Sequence, residues 1–267
     1  MELLKIVLGG LLEGLASALP LSGSAHRLLF EKISEKTLPA GLELAVAAAM
    51  LLLFYKTAWE CIKGLGKMIA DSKNNKFRWR KASRYQKMAI YAPIAAVPYW
   101  ILVFLQQRYG FLEGIGESLL LVGGLLIANA GLLFIADHSI EKHWDLTDLT
   151  FGQAMKLGLF QGASLLPGFS RTGMTFCMAR NMGFKAKAAL EFSMMTAIPA
   201  LLGKGLMTAD WTMPGRTFWF ALGAVFLGAL GGLYLLKRLV KKENVSVLMF
   251  YSAALGIAAM VLNFVKI

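Results

Sequence analysis

Six stretches of this chain are apolar over lengths that suit a lipid bilayer: residues 40–57, 85–107, 117–136, 186–207, 216–237 and 245–265. A hydrocarbon core is about 30 Å thick and a helix rises about 1.5 Å per residue, so roughly 20 apolar residues make one crossing. Six such runs within 267 residues predict an all-α polytopic membrane protein. Composition agrees, since 57% of the residues are hydrophobic and only 16% charged, far from a soluble average.

The charge that remains is unevenly placed. Lysine and arginine outnumber the acids 28 to 16, a net charge of +12. Lys56, Lys63, Lys67, Lys73, Lys76, Arg78, Arg80, Lys81, Arg84 and Lys87 fill one connection, and Lys237, Arg238, Lys241 and Lys242 another. The positive-inside rule puts both on the cytoplasmic side and, counting spans outward, both termini outside. Such loops are orientation signals that meet anionic phospholipid headgroups, so no nucleic-acid partner is expected. Cys61 and Cys177 are too far apart and too deep in apolar sequence to announce a disulfide framework, and read as packing residues. The first residues resemble a signal peptide, but Glu13 interrupts the apolar run and the start is scarcely basic, so cleavage is not expected.

Two polar knots interrupt this oily background: "EGLASALPLSGSAH" at 13–26 and "LPGFSRTGMT" at 166–175. Setting Glu13–Gly14 against Gln161–Gly162 brings "SGSA" (22–25) onto "SRTG" (170–173), with one residue of slack before Pro20 and Pro167. Each half, about 1–136 and 150–267, thus offers a short broken helix, a second short helix and three fuller spans. Three is odd, so the second copy enters from the opposite side: six transmembrane helices plus two re-entrant hairpins in an inverted repeat. Broken backbone survives at membrane depth only when buried in protein or lining a wet cavity. The half-helices starting near Ala25 and Thr172 would therefore aim free amides and positive dipole ends at a shared midplane site, a natural seat for an anion.

Arg171 is the sharpest chemical signal, because a guanidinium in a membrane is costly without an anionic or oxygen-rich partner. Gly168 and Gly173 allow close backbone approach, and the hydroxyls of Ser170, Thr172 and Thr175 add neutral donors, together the needs of a phosphate group. A structural arginine satisfied by Glu13 or loop carbonyls is the alternative. Glu13 could be a divalent-metal ligand, a general acid or base, or the partner of Arg171. His26, beside Ser22 and Ser24, could activate a hydroxyl or water, act as nucleophile or protonate a leaving group; with Arg27 it could instead touch headgroups. Ser17 and Gln161 sit on the same apolar segments as Glu13 and Arg171 and read as supporting residues. His138 and His143, among Asp137, Glu141, Asp145 and Asp148, read as a solvated loop, and Glu43 and Glu191 as snorkelling or pairing residues. Pro199 predicts a kink, the methionines near it adaptable packing, and Gly123, Gly124, Gly223, Gly228, Gly231 and Gly232 close helix contacts.

These residues resemble the bacterial undecaprenyl-diphosphate phosphatase family of the BacA type. "QGASLLPGFSRTGMT" looks like that family's proline-glycine-x-serine-arginine-serine-glycine-x-threonine signature. "AALEFSMMTAIPALLG", "SLLLVGGLLIANAGLLFIADH" and "YLLKRLVKKENVSVLMFYSAALG" resemble its neighbouring helices, so the similarity is specific from about residue 117 onward. In the first half Ser17 stands where the family has a second glutamate, and Gly23 where it has a serine. The resemblance implies hydrolysis of a polyprenyl diphosphate to the monophosphate and inorganic phosphate, which recycles the lipid carrier of cell-wall synthesis in the bacterial plasma membrane and is linked to bacitracin resistance. It implies Glu13, His26 and Arg171 as catalytic residues and Ser170, Arg171, Thr172 and Thr175 around the phosphates, with Ser22 or Ser24, or His26 directly, left to substitute for the hydroxyl missing at Gly23. It also implies a divalent cation, Mg2+ or Ca2+, at Glu13, with no organic cofactor. The departures at Ser17 and Gly23 raise one rival, a transporter or flippase of a polyprenyl phosphate on the same scaffold. The sequence leaves a homodimer open.

Overall fold

The structure, a computed structural model, describes residues 2–74, 77–112, 114–140, 143–209 and 215–265; Lys76 of the basic stretch and Glu141 of the acidic loop lie outside them. The described residues form eleven α-helices and no strand. Their order is α1 Glu2–Ala18, α2 Gly23–Ser34, α3 Glu43–Leu53, α4 Tyr55–Lys73, α5 Arg84–Tyr109, α6 Leu119–Asp137, α7 Phe151–Gly162, α8 Arg171–Asn181, α9 Ala186–Thr208, α10 Arg216–Lys241 and α11 Val247–Phe264. The longest are punctuated by sequence: reciprocal Ser83–Gln86 capping starts α5, Gly110 in the left-handed region at φ 62° ends it, and Ser118 caps α6.

Four helices, α5, α6, α10 and α11, are long and apolar enough to cross a membrane, in line with four of the six expected runs. The run at 40–57 is not one straight span. It breaks at Phe54, where α3 and α4 meet at an 80° bend. The cause lies in α4, whose Trp59, Ile62 and Ile69 are exposed beside Lys63 and Lys67; such a helix favours the membrane surface over its interior. Lys237 compensates the bend by donating to the Leu53 carbonyl at 2.8 Å, with its ammonium 4.2 Å from the Phe54 ring centroid. The basic stretch from Lys56 is thus helical at its start rather than a plain connection.

The run at 186–207 becomes α9, with 23 residues. Lys187, Glu191, Ser193, Thr196 and Lys204 dilute its apolarity, and Ser193 and Thr196 are fully buried within the protein. Pro199 lies inside it, and the Pro199 carbonyl accepts the Trp100 indole N–H at 3.1 Å.

The bundle is held by close backbone contact. α1 packs on α10, α5 on α7 and α9, α3 on α9 and α10, and α6 on α11. A Cβ at Gly14 would meet the Val225 carbonyl, one at Gly228 the Leu11 carbonyl, one at Gly158 the Ala95 carbonyl and one at Gly123 the Gly256 carbonyl. Gly232 likewise faces Leu15, and Gly124 makes only an ordinary contact with Met260. Gly223 and Gly231 depart from the expectation: nothing lies within 4 Å of a Cβ at either. Both are exposed, away from Ala221, Val225, Gly228 and Gly232, the positions that meet α1. In the acidic loop, His138, His143 and Asp148 are exposed, while Asp145 pairs with Arg84 at 3.5 Å. Cys61 and Cys177 are buried free thiols.

Candidate active site

Both polar knots interrupt helices, and the breaks touch. α1 stops at Ala18 and α2 starts at Gly23; between them Ser22 is held at φ 66°, a left-handed backbone that L side chains rarely adopt. α7 ends at Gly162 and α8 begins at Arg171, with Gly168 at φ 125° in the turn, where Leu125 leaves no room for a Cβ. Ser22 Oγ accepts from the Gly168 amide at 3.0 Å, and Ser170 Oγ donates to the Leu19 carbonyl at 3.2 Å. The backbone groups that each break would orphan are thus satisfied by the other break.

Asn129, in the middle of α6, locks this junction. Its Nδ2 donates to the Pro20 carbonyl at 3.0 Å, and its Oδ1 accepts from the Ser170 amide at 3.1 Å. Ser252 stands behind it, donating to the Leu126 carbonyl at 2.8 Å. The sequence signal for Asn129 is a lone amide inside an otherwise apolar span.

Beside the junction lies a cavity of about 280 Å³, lined among others by Glu13, Ser17, Gly23, Ser24, Arg27, Glu43, Ser164, Ser170, Arg171 and Lys204. Arg171 opens α8. Its Nη2 donates to the Tyr99 hydroxyl at 3.0 Å, its guanidinium carbon lies 5.0 Å from the Tyr99 ring centroid, and its Nε is buried without a hydrogen-bond partner. No carboxylate among the described residues forms an ion pair with it. Glu13 pairs instead with Arg27 at 3.7 Å. Arg27 in turn holds Glu31 at 3.0 Å and donates to the Leu38 carbonyl. Glu43 pairs with Lys204 at 2.5 Å, and Glu191 with Arg84 at 2.5 Å. The cavity therefore gathers three cations and two carboxylates, and its surplus charge is positive.

Of the residues expected at the site, Glu13, Ser17, Ser24, Ser170 and Arg171 line this cavity. The others frame it. Ser22 serves the junction and Ser24 Oγ at 3.2 Å; Thr172 Oγ1 reaches the Leu19 carbonyl at 3.4 Å; Thr175 Oγ1 donates back to the Arg171 carbonyl at 3.2 Å. Gly168 and Gly173 allow close turns, a Cβ at Gly173 lying 3.0 Å from Pro20 Cβ. Gln161 is fully buried, with neither side-chain amide atom partnered. His26 lies off the cavity wall. A carbonyl only accepts, so Nδ1 donates to the Ser22 carbonyl at 2.9 Å and Nε2 accepts from the Tyr251 hydroxyl at 2.9 Å, the rings stacked 4° from parallel.

Ser17 and Gly23 are in direct contact. A Cβ on Gly23 would fall onto Ser17 Oγ, so the two departures noted in the first half form one feature. Glu43, foreseen as a pairing residue, has its partner, and Arg27 faces the cavity rather than headgroups alone. Lys204 was not foreseen, because one lysine near a helix end carries no signal of where it points.

A divalent cation can be tested against these atoms. Glu13 and Glu43 both line the cavity, and each keeps a buried Oε2 without a hydrogen-bond partner. One or two carboxylates suffice for an ion of the magnesium type, which takes its other ligands from phosphate and water. The donor set fits such an ion when substrate is present, although no group of three His, Cys, Asp or Glu side chains gathers among the described residues.

Broken helices joined within a bundle, around a cationic cavity with an unpaired arginine, define a polytopic helical membrane protein with a site for anionic groups. Residues 6–258 match the family described as bacitracin resistance protein BacA, and the chain belongs to that family. It is 30% identical to the undecaprenyl-diphosphatase of Alteromonas mediterranea over 96% of this chain and 97% of that one. It is 29% identical to the undecaprenyl-diphosphatase of Desulforudis audaxviator over 96% of each chain, and 28% identical to that of Thermosipho melanesiensis over 98% of this chain and all of the relative.

Proposed function

We propose that this protein hydrolyses undecaprenyl diphosphate to the monophosphate and inorganic phosphate, returning the lipid carrier of cell-wall synthesis to use in the plasma membrane. The observation that carries this is Arg171: a membrane-embedded guanidinium on a cavity wall, with no carboxylate to neutralise it. Such a cation is kept for an anion that arrives from outside. The names of the relatives support a diphosphate as that anion.

The chemistry is a phosphoryl transfer, which rests mainly on positioning and charge neutralisation. Arg171 holds the phosphates, beside a Ser170 hydroxyl that is committed to the Leu19 carbonyl, while water attacks the terminal phosphorus and the bridging P–O bond breaks toward the lipid monophosphate. Glu13, on the cavity wall, takes the proton of the attacking water, whose oxygen leaves as part of inorganic phosphate; Ser17 and Ser24 supply the nearby hydroxyls. His26 serves as acid or base by exchanging the Tyr251 hydroxyl for substrate or water. A divalent ion held by Glu13 and Glu43 would supply further neutralisation of phosphate charge.

The finer topology is part of the same proposal: an inverted repeat of halves 1–136 and 150–267, re-entrant α1–α2 and α7–α8, termini outside and basic loops in the cytoplasm. Reciprocal packing supports it. α1 lies on α10 as α7 lies on α5, and α3 meets α10 as α9 meets α5. Gly10 and Gly158, equivalent when Glu13–Gly14 is set on Gln161–Gly162, each approach a backbone carbonyl of the helix packed against them, Ala221 of α10 and Ala95 of α5.

Purified protein in proteoliposomes tests the function. Release of inorganic phosphate from undecaprenyl diphosphate is expected; movement of the lipid across the bilayer without phosphate release would overturn hydrolysis in favour of transport.

A further inference from the structure

We propose that Lys204 is a second phosphate-binding cation of the same cavity and that Glu43 is its positioning residue, so that Arg171 and Lys204 divide the two phosphate groups of the substrate between them. This rests on the hydrolase function proposed above and adds residues to it.

Three cations line the cavity, and their hydrogen bonding separates them. Arg27 is neutralised by two carboxylates, its Nε donating to Glu31 at 3.0 Å and its Nη1 lying 3.7 Å from Glu13, while Nη2 donates to the Leu38 carbonyl. Lys204 is not. An ammonium has three donors, and the contact with Glu43 Oε1 at 2.5 Å uses one. Stability alone does not explain the pair, since an ion pair taken out of water returns little net stabilisation over an apolar pair, and lysine within a membrane protein is kept for partners or function. Glu43 stands at the start of α3 and Lys204 late in α9, so the pair joins two helices that pack together at the cavity wall. Glu43 Oε2 is buried with no partner, which leaves a single tether on the ammonium rather than a closed two-point clamp. A diphosphate brings more than one negative charge to a site where Arg171 meets no carboxylate and Lys204 keeps ammonium donors beyond the one directed at Glu43; two cations match two phosphates, whereas one phosphate requires only one.

The experiment uses the purified full chain with undecaprenyl diphosphate, and inorganic pyrophosphate as a binding probe that needs no turnover. Glu43→Gln with Lys204→Met removes both charges together and leaves no buried ion unpaired. The double variant is expected to keep its thermal unfolding temperature while pyrophosphate affinity, measured with a chelator present so that no ion at Glu43 contributes, falls by about tenfold or more, the loss of one charge-assisted contact, and KM rises. Lys204→Arg is expected to bind pyrophosphate close to wild type. Unchanged KM and pyrophosphate affinity in a folded double variant would overturn the role of Lys204 while leaving hydrolysis standing. A wild type that binds pyrophosphate but releases no phosphate would overturn hydrolysis and leave the cation pair to be judged by binding. If the double variant does not fold, Lys204→Gln, which keeps a donor for Glu43 and removes the charge, is measured with the same expectations.

Discussion

The hydroxyl of Ser22 accepts a hydrogen bond from the amide of Gly168 at 3.0 Å, across 146 positions of sequence. One broken helix thereby completes the other, and the cavity lies beside them.

Asn129 tests the junction directly. Replacing it by Leu removes the donor to Pro20 and the acceptor for Ser170, leaving two buried backbone groups unpaired. The expected cost is about 1–3 kcal/mol per orphaned group, read as a lower unfolding temperature in detergent together with reduced phosphate release. Wild-type stability would show that the junction does not depend on this amide.

Glycine contacts predict opposite outcomes at two helical positions. Gly14→Val drives a side chain into the Val225 carbonyl and is expected to abolish folded, monodisperse protein. Gly131→Ala in α6 meets nothing within 4 Å and is expected to be neutral or to stabilise by up to about 1 kcal/mol. Size-exclusion profiles and unfolding temperatures distinguish them.

The sequence announces the bundle, the two knots and Arg171, because span length and the cost of a charge in lipid are local properties. It does not announce the bend at Phe54, where the Leu53 carbonyl is met by Lys237 reaching back from another helix. Nor does it reveal which carboxylate meets which cation. Glu13 and Arg171 are the anomalous charges of the two knots and invite pairing, yet Arg27, one turn of α2 past Ser22, takes Glu13 and leaves Arg171 open. Lys204 and Glu43 are 161 positions apart, and only the packing of α3 on α9 brings them to one wall. His26 sits in the expected motif but turns toward Tyr251, a direction that spacing alone does not contain.

That orientation separates two substitutions. Tyr251→Phe frees Nε2 of His26 and is expected to leave phosphate release within about threefold of wild type, whereas His26→Ala is expected to lower kcat by about 10²–10⁴-fold, the usual contribution of an acid or base. Equal losses in both variants would mark the stacked pair as structural support only.

Metal dependence follows from the open carboxylate oxygens. Chelation is expected to suppress turnover and added Mg2+ to restore it. Glu13→Gln is expected to lose most of its activity and to need more Mg2+ for what remains. Turnover indifferent to chelator would remove the ion from the site.

The central measurement is kcat/KM for phosphate release from undecaprenyl diphosphate by Arg171→Ala. Loss of the cavity guanidinium that meets no carboxylate is expected to lower it by at least about 100-fold, with the protein still folded. A folded variant that turns over at the wild-type rate would contradict the account.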